Sequence, residues 1–283
     1  MRQPQPTSRQ VVKAVIPAAG KGTRLRPLTD LLPKECLPVG RRPVLQHVVQ
    51  EALSCGLRQL AVVTGPRKLE LGRCLEPFAV QSGIELDLAI QEPPRGLGDA
   101  VLTCRSWVGD SPFAVLLADT IIESRLSPLL CRMIKAHHKH RAAATIAVEA
   151  VPDHHVQSYG IVAPKGQPGP AFALRDVVEK PAPDRAPSNL AIAGRYVFEP
   201  VIMDALARGK PGHGGEIQLT DAIRVLIRRR LPVYAVPLGL EDRRHDIGNF
   251  ATYYRAFLDY ALADEELGAS LRRWVGERLA ELN

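Results

Sequence analysis

A doubly wound α/β fold with a mostly parallel sheet, a smaller mixed lobe and C-terminal helices is what this sequence predicts. Three observations point there. Apolar runs of strand length alternate with longer segments of helical period through the first half. Those runs are apolar at nearly every position, the signature of strands covered on both faces and joined by crossover helices. Past Val151 the texture changes, with Pro and Gly gathering in PKGQPGPAF and EKPAPDRAPSNL.

The elements follow in order. VVKAVIP (Val11 to Pro17) is the first strand, and PVLQHVVQEALSCG is a helix stopped by Gly56. QLAVVTG (Gln59 to Gly65) is a second strand, Lys68 to Val80 a second helix, and ELDLAIQ (Glu85 to Gln91) a third strand. GLGDAVLTCRSWV from Gly96 is helical, PFAVLLAD (Pro112 to Asp119) is a fourth strand, and Leu126 to His140 followed by AAATIAVEA continues the alternation. The later segment offers short strands at YGIVAP, ALRDVVE and LAIAGRYVF, then two helices, the second being EIQLTDAIRVLIRRR from Glu216. A strand, LPVYAVPL, and a helical pair from Asn249 to Leu282 complete the chain, which is expected to be one domain over residues 1–283, divided at 11–150, 151–248 and 249–283.

Composition limits the function classes. The 283 residues can bury a full core, and no tract is disordered or repetitive. The net charge of +7 permits anionic partners, and because most of the excess is Arg, a polyanionic small molecule competes well with nucleic acid. No basic stripe interleaved with aromatics is present, so no nucleic-acid partner is expected. Five cysteines (Cys36, Cys55, Cys74, Cys104, Cys131) show neither CxxC nor CxxH spacing and are expected to be reduced, packing residues. The N-terminal MRQPQPTSRQ has no apolar core and no later apolar run is long enough to span a bilayer, so a cytoplasmic protein with no membrane partner is expected.

The first strand runs into AAGKGTRLRP (Ala18 to Pro27). In an open α/β sheet the loop at a strand's carboxyl end is where ligands bind, and its glycines let a backbone approach a phosphate. No GK[ST] completes a Walker sequence, and Leu25 stands where a dinucleotide fingerprint needs its last glycine. The combination PAAGKGTRLRPLT with PKE-LPV, followed in order by QEPPRGLGDAV, PFAVLLAD, SYGIV, VVEKP, APSNLAIAGRYVF, GGEIQLTDAI and HDIGN, resembles the sugar-1-phosphate nucleotidyltransferases. Among these it is most similar to the bacterial UTP-glucose-1-phosphate uridylyltransferases. The resemblance covers most of Val11 to Asn249. It departs from the pattern in a shorter connection between Thr64 and Gln91, in Asp99 where GLGHAV is usual, and in GRRP (Gly40 to Pro43) where DKP is usual. The last two are expected to bear on ligand selectivity.

The resemblance implies a Rossmann-like nucleotidyltransferase fold with a nucleotide-binding half over 11–150 and a sugar-binding half over 151–248. It implies Mg²⁺-assisted transfer of a uridylyl group from UTP to glucose 1-phosphate, giving UDP-glucose and pyrophosphate, in a homo-oligomer, dimer or tetramer. A phosphate monoester is already a nucleophile at neutral pH, so the barrier calls for in-line positioning and charge neutralisation rather than for a Ser, a Cys or a general base. Asp119 and Asp246 fall on the metal positions, where a hard cation needs only one or two carboxylates beside phosphate oxygens. A carboxylate at a strand end also serves as a plain turn or cap residue. Arg24 and Lys34 match the triphosphate-contacting pair, and Lys180 in VVEKP would hold the sugar phosphate. The resemblance also places the nucleotide against Ala18, Ala19, Gly20, Gly22, Gln91, Gly96 and Asp119, and the sugar against Gly160, Glu179, Lys180 and Glu216.

Other conspicuous features are ordinary. His137, His138 and His140 beside Lys139 and Arg141 are expected to be a solvated cluster, and Arg228 to Arg230 a favourable charge patch at a helix C-terminus. Leu267, Leu271, Trp274, Val275 and Leu279 fall at helical spacing, which is core or subunit interface. Two other readings stay open: a thymidylyltransferase or other hexose-1-phosphate nucleotidyltransferase, and a catalytically silent nucleotide-binding paralogue that regulates a partner.

Overall fold

The computed structural model describes residues 10–66, 68 and 70–282. The reading of the N-terminal stretch falls almost wholly outside them, as does Leu69 within the expected Lys68 to Val80 helix. In chain order the elements are β1 (Lys13–Pro17), α1 (Leu28–Leu31), β2 (Pro38–Val39), β3 (Arg42–Pro43), α2 (Val44–Ser54), β4 (Gln59–Thr64), α3 (Glu70–Ser82) and β5 (Glu85–Ile90). Next come α4 (Leu97–Thr103), α5 (Arg105–Val108), β6 (Phe113–Leu116), β7 (Thr120–Ser124), α6 (Leu129–Lys139), β8 (Ala144–Ala150), β9 (Gly160–Pro164) and β10 (Phe172–Glu179). The chain ends with β11 (Leu190–Phe198), α7 (Val201–Ala207), α8 (Leu219–Arg228), β12 (Val233–Pro237), β13 (Asp242–Asp246), α9 (Phe250–Leu262) and α10 (Gly268–Leu282).

A nine-stranded sheet in the order β5-β4-β1-β6-β11-β8-β12-β10-β9 is the frame. β5, β4, β1 and β6 pair in parallel, as the uninterrupted apolar runs require, and Ala14, Val15 and Ile16 of β1 are fully buried between the helical layers. β11 then enters antiparallel between β6 and β8, so the second half of the chain extends the same sheet instead of standing beside it. β5 is the exception to the buried pattern. As the edge strand it leaves Leu88 and Ile90 about half exposed, and Glu85 and Asp87 face solvent as well. β7 and β13 form a separate two-stranded ribbon; the sequence offers only a short extended run before Asp246 for it, because DRRHD is too charged and TIIES too short to read as paired strands.

α2 shows how the helices form. Val44, Leu45, Val48, Val49, Ala52 and Leu53 recur at the helical period and are buried, and Gly56 at φ +82° stops the chain where an L side chain would be strained. α9 is capped by Asn249, whose Oδ1 accepts from Thr252 N–H at 3.1 Å. The expected helix from Gly96 to Val108 divides at Cys104 into α4 and α5.

Three expectations are corrected. Cys55 and Cys131 are joined by a disulfide between the end of α2 and α6, 76 positions apart, so not all five cysteines are reduced; local spacing carries no information about two helices packed side by side. Cys36, Cys74 and Cys104 are free thiols. His137 is not solvated: it is 1% exposed, with Nδ1 at 3.0 Å from Thr145 Oγ1 and Nε2 at 3.3 Å from Glu199 Oε1, because α6 turns that position onto β8. His138 is exposed and His140 stacks on Tyr234. Of the two readings of the C-terminal apolar positions, core is the one overturned, since Leu267 just before α10 and Trp274 and Leu279 within it are each half or more exposed. No helix among the described residues is long and apolar enough to cross a membrane.

Candidate active site

The loop after β1 is shaped by its hydrogen bonds. Ala18 N–H donates to Val63 O at 2.7 Å and its carbonyl accepts from Lys68 Nζ at 2.8 Å, so both backbone groups of Ala18 are bonded inside the protein, and it is not among the residues that line the cleft. Ala19 and Gly20 face the cleft. Gly22 is a turn residue outside the cleft lining: at φ +64° it starts the turn of Thr23–Leu25, its carbonyl accepts from Thr29 Oγ1 at 2.9 Å, and an added Cβ would come within 3.1 Å of Thr29 Cγ2.

Lys34 lies on the turn after Pro33 and reaches back under this loop, 4.0 Å from where a Cβ on Gly20 would stand. Its ammonium donates to Asp119 Oδ2 at 2.5 Å. Burial opposes the Lys34 charge, but Asp119, Glu35 and Asp246 outweigh it, and the pKa is raised. Asp119 shows the converse: burial disfavours its carboxylate, yet Lys34 and Arg24 pull the pKa below the usual range.

Asp246, opposite Thr120 in the β13–β7 ribbon, stands beside Asp119. Ile247 N–H donates to the Asp119 carbonyl at 2.8 Å, and Gly248 N–H to Asp246 Oδ1 at 2.6 Å. Burial first, then repulsion from Asp119, raises the Asp246 pKa. Two neighbouring carboxylates, one of them lining the cleft, are the oxygen donors that a hard divalent cation such as Mg²⁺ takes. Among the described residues no group of three or more His, Cys, Asp or Glu could hold a metal unaided, so further ligands would have to come from substrate and water.

Gln91 directly follows β5 and is 3% exposed. Its Nε2 donates to Gly96 O at 3.1 Å and to Asp99 Oδ2 at 2.7 Å. Gly96, at φ +110°, is pressed against the segment before α8: a Cβ there would lie 2.7 Å from Glu216 Cβ, and Gly98 N–H donates to Ile217 O at 2.8 Å. This contact joins the two halves of the chain across the cleft.

In the second half Glu179 and Lys180 stay within ion-pair distance, Nζ to Oε1 3.9 Å, but line different spaces. Lys180 holds φ +43°, rare for a residue other than glycine and rarer still before proline. It lines the main cleft, whereas Glu179 lines a neighbouring cavity of about 150 Å³ with Gly160 and accepts from Thr220 Oγ1 at 2.9 Å. Gly160 has no room for a side chain, since a Cβ would meet Thr220 Cγ2 at 2.7 Å. The main cleft, about 590 Å³, brings together Ala19, Gly20, Arg24, Lys34, Gln91, Gly96, Asp119, Lys180 and Glu216. Leu97, Leu117 and Gln218 border both spaces, so the two cavities adjoin.

Sequence reasoning missed the supports. Glu35, within PKE, is 1% exposed and accepts from Lys68 Nζ at 3.0 Å, which fastens the Lys34 turn to the first loop. Arg195 is fully buried, gripping Glu51 Oε2 through Nε and Nη2 (2.9 and 2.8 Å) and donating to Thr120 O at 2.7 Å, beside Asp119. Only APSNLAIAGRYVF held a signal for it, an Arg inside an otherwise apolar strand. The GRRP departure does not reach the cleft. Gly40 turns against Tyr260, and Arg41 pairs with Asp264 and Glu266 between α9 and α10. Asp99 does bear on it, through Gln91.

The nucleotidyl transferase family model matches residues 13–262. The chain belongs to that family. The UTP–glucose-1-phosphate uridylyltransferase of Streptococcus pyogenes is 37% identical over 94% of each chain. A UTP-bound UGPase from Acinetobacter baumannii is 36% identical, with a TM-score of 0.83 over 95% of this chain and 99% of its own. A UDP-glucose pyrophosphorylase complexed with UDP-glucose superposes with a TM-score of 0.82 at 34% identity, over 89% of this chain and 98% of its own. The architecture described above, with its sheet core and C-terminal helices, is therefore that of a nucleotidyl transferase.

Proposed function

We propose that this protein transfers a uridylyl group from UTP to glucose 1-phosphate, releasing pyrophosphate and forming UDP-glucose by direct in-line attack. The observation that carries the reading is the single cleft in which Arg24, Lys34 and Lys180 converge with Asp119 and Gln91. The attacking sugar phosphate needs no deprotonation by the enzyme, so the side chains do electrostatic and positional work. Arg24 grips triphosphate oxygens in a fork and Lys34 supplies a point charge. Lys180, its direction set by a left-handed backbone, holds the sugar phosphate opposite. Glu179 and Glu216 accept hydrogen bonds from sugar hydroxyls, and the missing Cβ of Gly160 leaves them space. Asp119 and Asp246 would hold Mg²⁺, which when bound neutralises phosphate charge. Residues 11–150 serve the nucleotide and 151–248 the sugar within one domain, and the exposed apolar positions of α10 serve a homo-oligomer in the cytoplasm.

Pyrophosphate release over a matrix of five nucleoside triphosphates and several sugar 1-phosphates is the test. UTP with glucose 1-phosphate is expected to give the highest specificity constant, followed by dTTP, with ATP and GTP far below. A higher value for dTTP moves the assignment to thymidylyl transfer. No release with any pair leaves the silent paralogue and overturns the reading.

A further inference from the structure

The Gln91 amide is held in one orientation by two groups that can only accept. Its Nε2 lies 3.1 Å from a backbone carbonyl, Gly96 O, and 2.7 Å from a carboxylate oxygen, Asp99 Oδ2. Turning the amide over would set Gln91 Oε1 against both acceptors, so the network fixes which end is which. Asp99 is held in turn: it is 4% exposed, and the Arg95 guanidinium donates to its other oxygen, Oδ1, through Nε at 3.2 Å and Nη2 at 2.8 Å. Each carboxylate oxygen therefore serves one donor group. With both Nε2 protons committed, the atom that Gln91 offers the cleft is its carbonyl oxygen.

We infer that Asp99 is a specificity-determining positioning residue, fixing Gln91 Oε1 toward the cleft so that the site takes a base with an N3–H donor and rejects cytosine. Uracil carries a proton at N3 and donates to that oxygen. Cytosine presents a bare N3 acceptor at the same place, and two facing acceptors leave a buried polar group unmatched. Neither Asp99 nor Arg95 need touch the substrate. The inference rests on the uridylyl-transfer reading.

Asp99→Asn separates these roles from plain packing, because it preserves shape but leaves one acceptor oxygen for two donors, Arg95 and Gln91. With Arg95 taking that oxygen, the Gln91 amide is free to turn. The UTP:CTP ratio of kcat/KM is expected to fall by about tenfold or more, mainly through a higher KM for UTP, with kcat and the KM for glucose 1-phosphate little changed. Adding Arg95→Met returns the new amide oxygen to Gln91, so the double variant is expected to regain most of the selectivity. A purely structural role has no reason to show that rescue. An unchanged UTP:CTP ratio in Asp99→Asn, or equal losses for both nucleotides with no rescue in the double variant, overturns the inference. Should the wild-type enzyme release no pyrophosphate from UTP and glucose 1-phosphate, the proposed function itself fails, and that control is run first.

Discussion

Replacing Arg195 by Met tests the support beneath Asp119. Arg195 sits in β11 with no exposed surface, and its guanidinium is the only cation bonded to the Glu51 carboxylate among the described residues. Glu51 Oε1 already has no hydrogen-bond partner, so removing Arg195 leaves a buried carboxylate with neither counter-charge nor donor. Breaking one side of a buried ion pair costs about 3–5 kcal/mol. For a chain of this size that lowers the melting temperature on the order of 10 °C. Replacing both partners, Arg195→Met with Glu51→Leu, removes the stranded charge and is expected to recover most of the loss. Thermal melts and urea titrations of the two single variants and the double complete the cycle. Because Arg195 also donates to Leu117 O and Thr120 O around the turn that carries Asp119, turnover of the single variant should fall even well below its melting temperature. A double variant no more stable than Arg195→Met would refute the stranded-charge argument.

Asp119→Asn and Asp246→Asn each keep side-chain shape while deleting a charge, and each is expected to cost on the order of a hundredfold in turnover with the fold retained, the melt falling more for Asp119→Asn because the part-buried Lys34 loses its counter-charge; wild-type rates at saturating Mg²⁺ would remove the cation-holding assignment. Glu216→Ala should weaken glucose 1-phosphate utilisation and spare UTP binding, and Arg24→Ala the reverse, each by roughly 1.5–3 kcal/mol against the ligand contacted. Calorimetric titration of UTP into both variants distinguishes them, and equal losses would withdraw Glu216 from the sugar half. Alkylation of the denatured, non-reduced protein should label three thiols, and prior reduction five, because Cys55 and Cys131 are joined; five before reduction would count against the bond.

What the sequence determined by itself is whatever depends on neighbours along the chain. The burial of β1, β4 and β6 on both faces follows from the stretches 14–16, 60–63 and 113–116, which have no polar residue to turn outward, and the stop of α2 follows from a glycine. Arg24, Lys34, Gln91, Asp119, Lys180 and Glu216, which line the cleft, are named by the resemblance of their short segments to the nucleotidyltransferase pattern; taken alone, each has an ordinary reading as a surface charge, turn or cap residue. Only the tertiary structure decided which of the named residues line the cleft. Ala18 lies in the right loop but spends its backbone on Val63 and Lys68, and Glu179 and Lys180, adjacent in sequence, open into different cavities. The groups that hold the site, Glu35 with Lys68, Arg195 with Glu51 and Asp99 with Gln91, pair across gaps of 33, 144 and 8 residues. A buried charge or amide is stabilised by whatever partner the packing delivers within hydrogen-bond distance, and that distance is set by the stacking of strands and helices, which no local run of residues encodes.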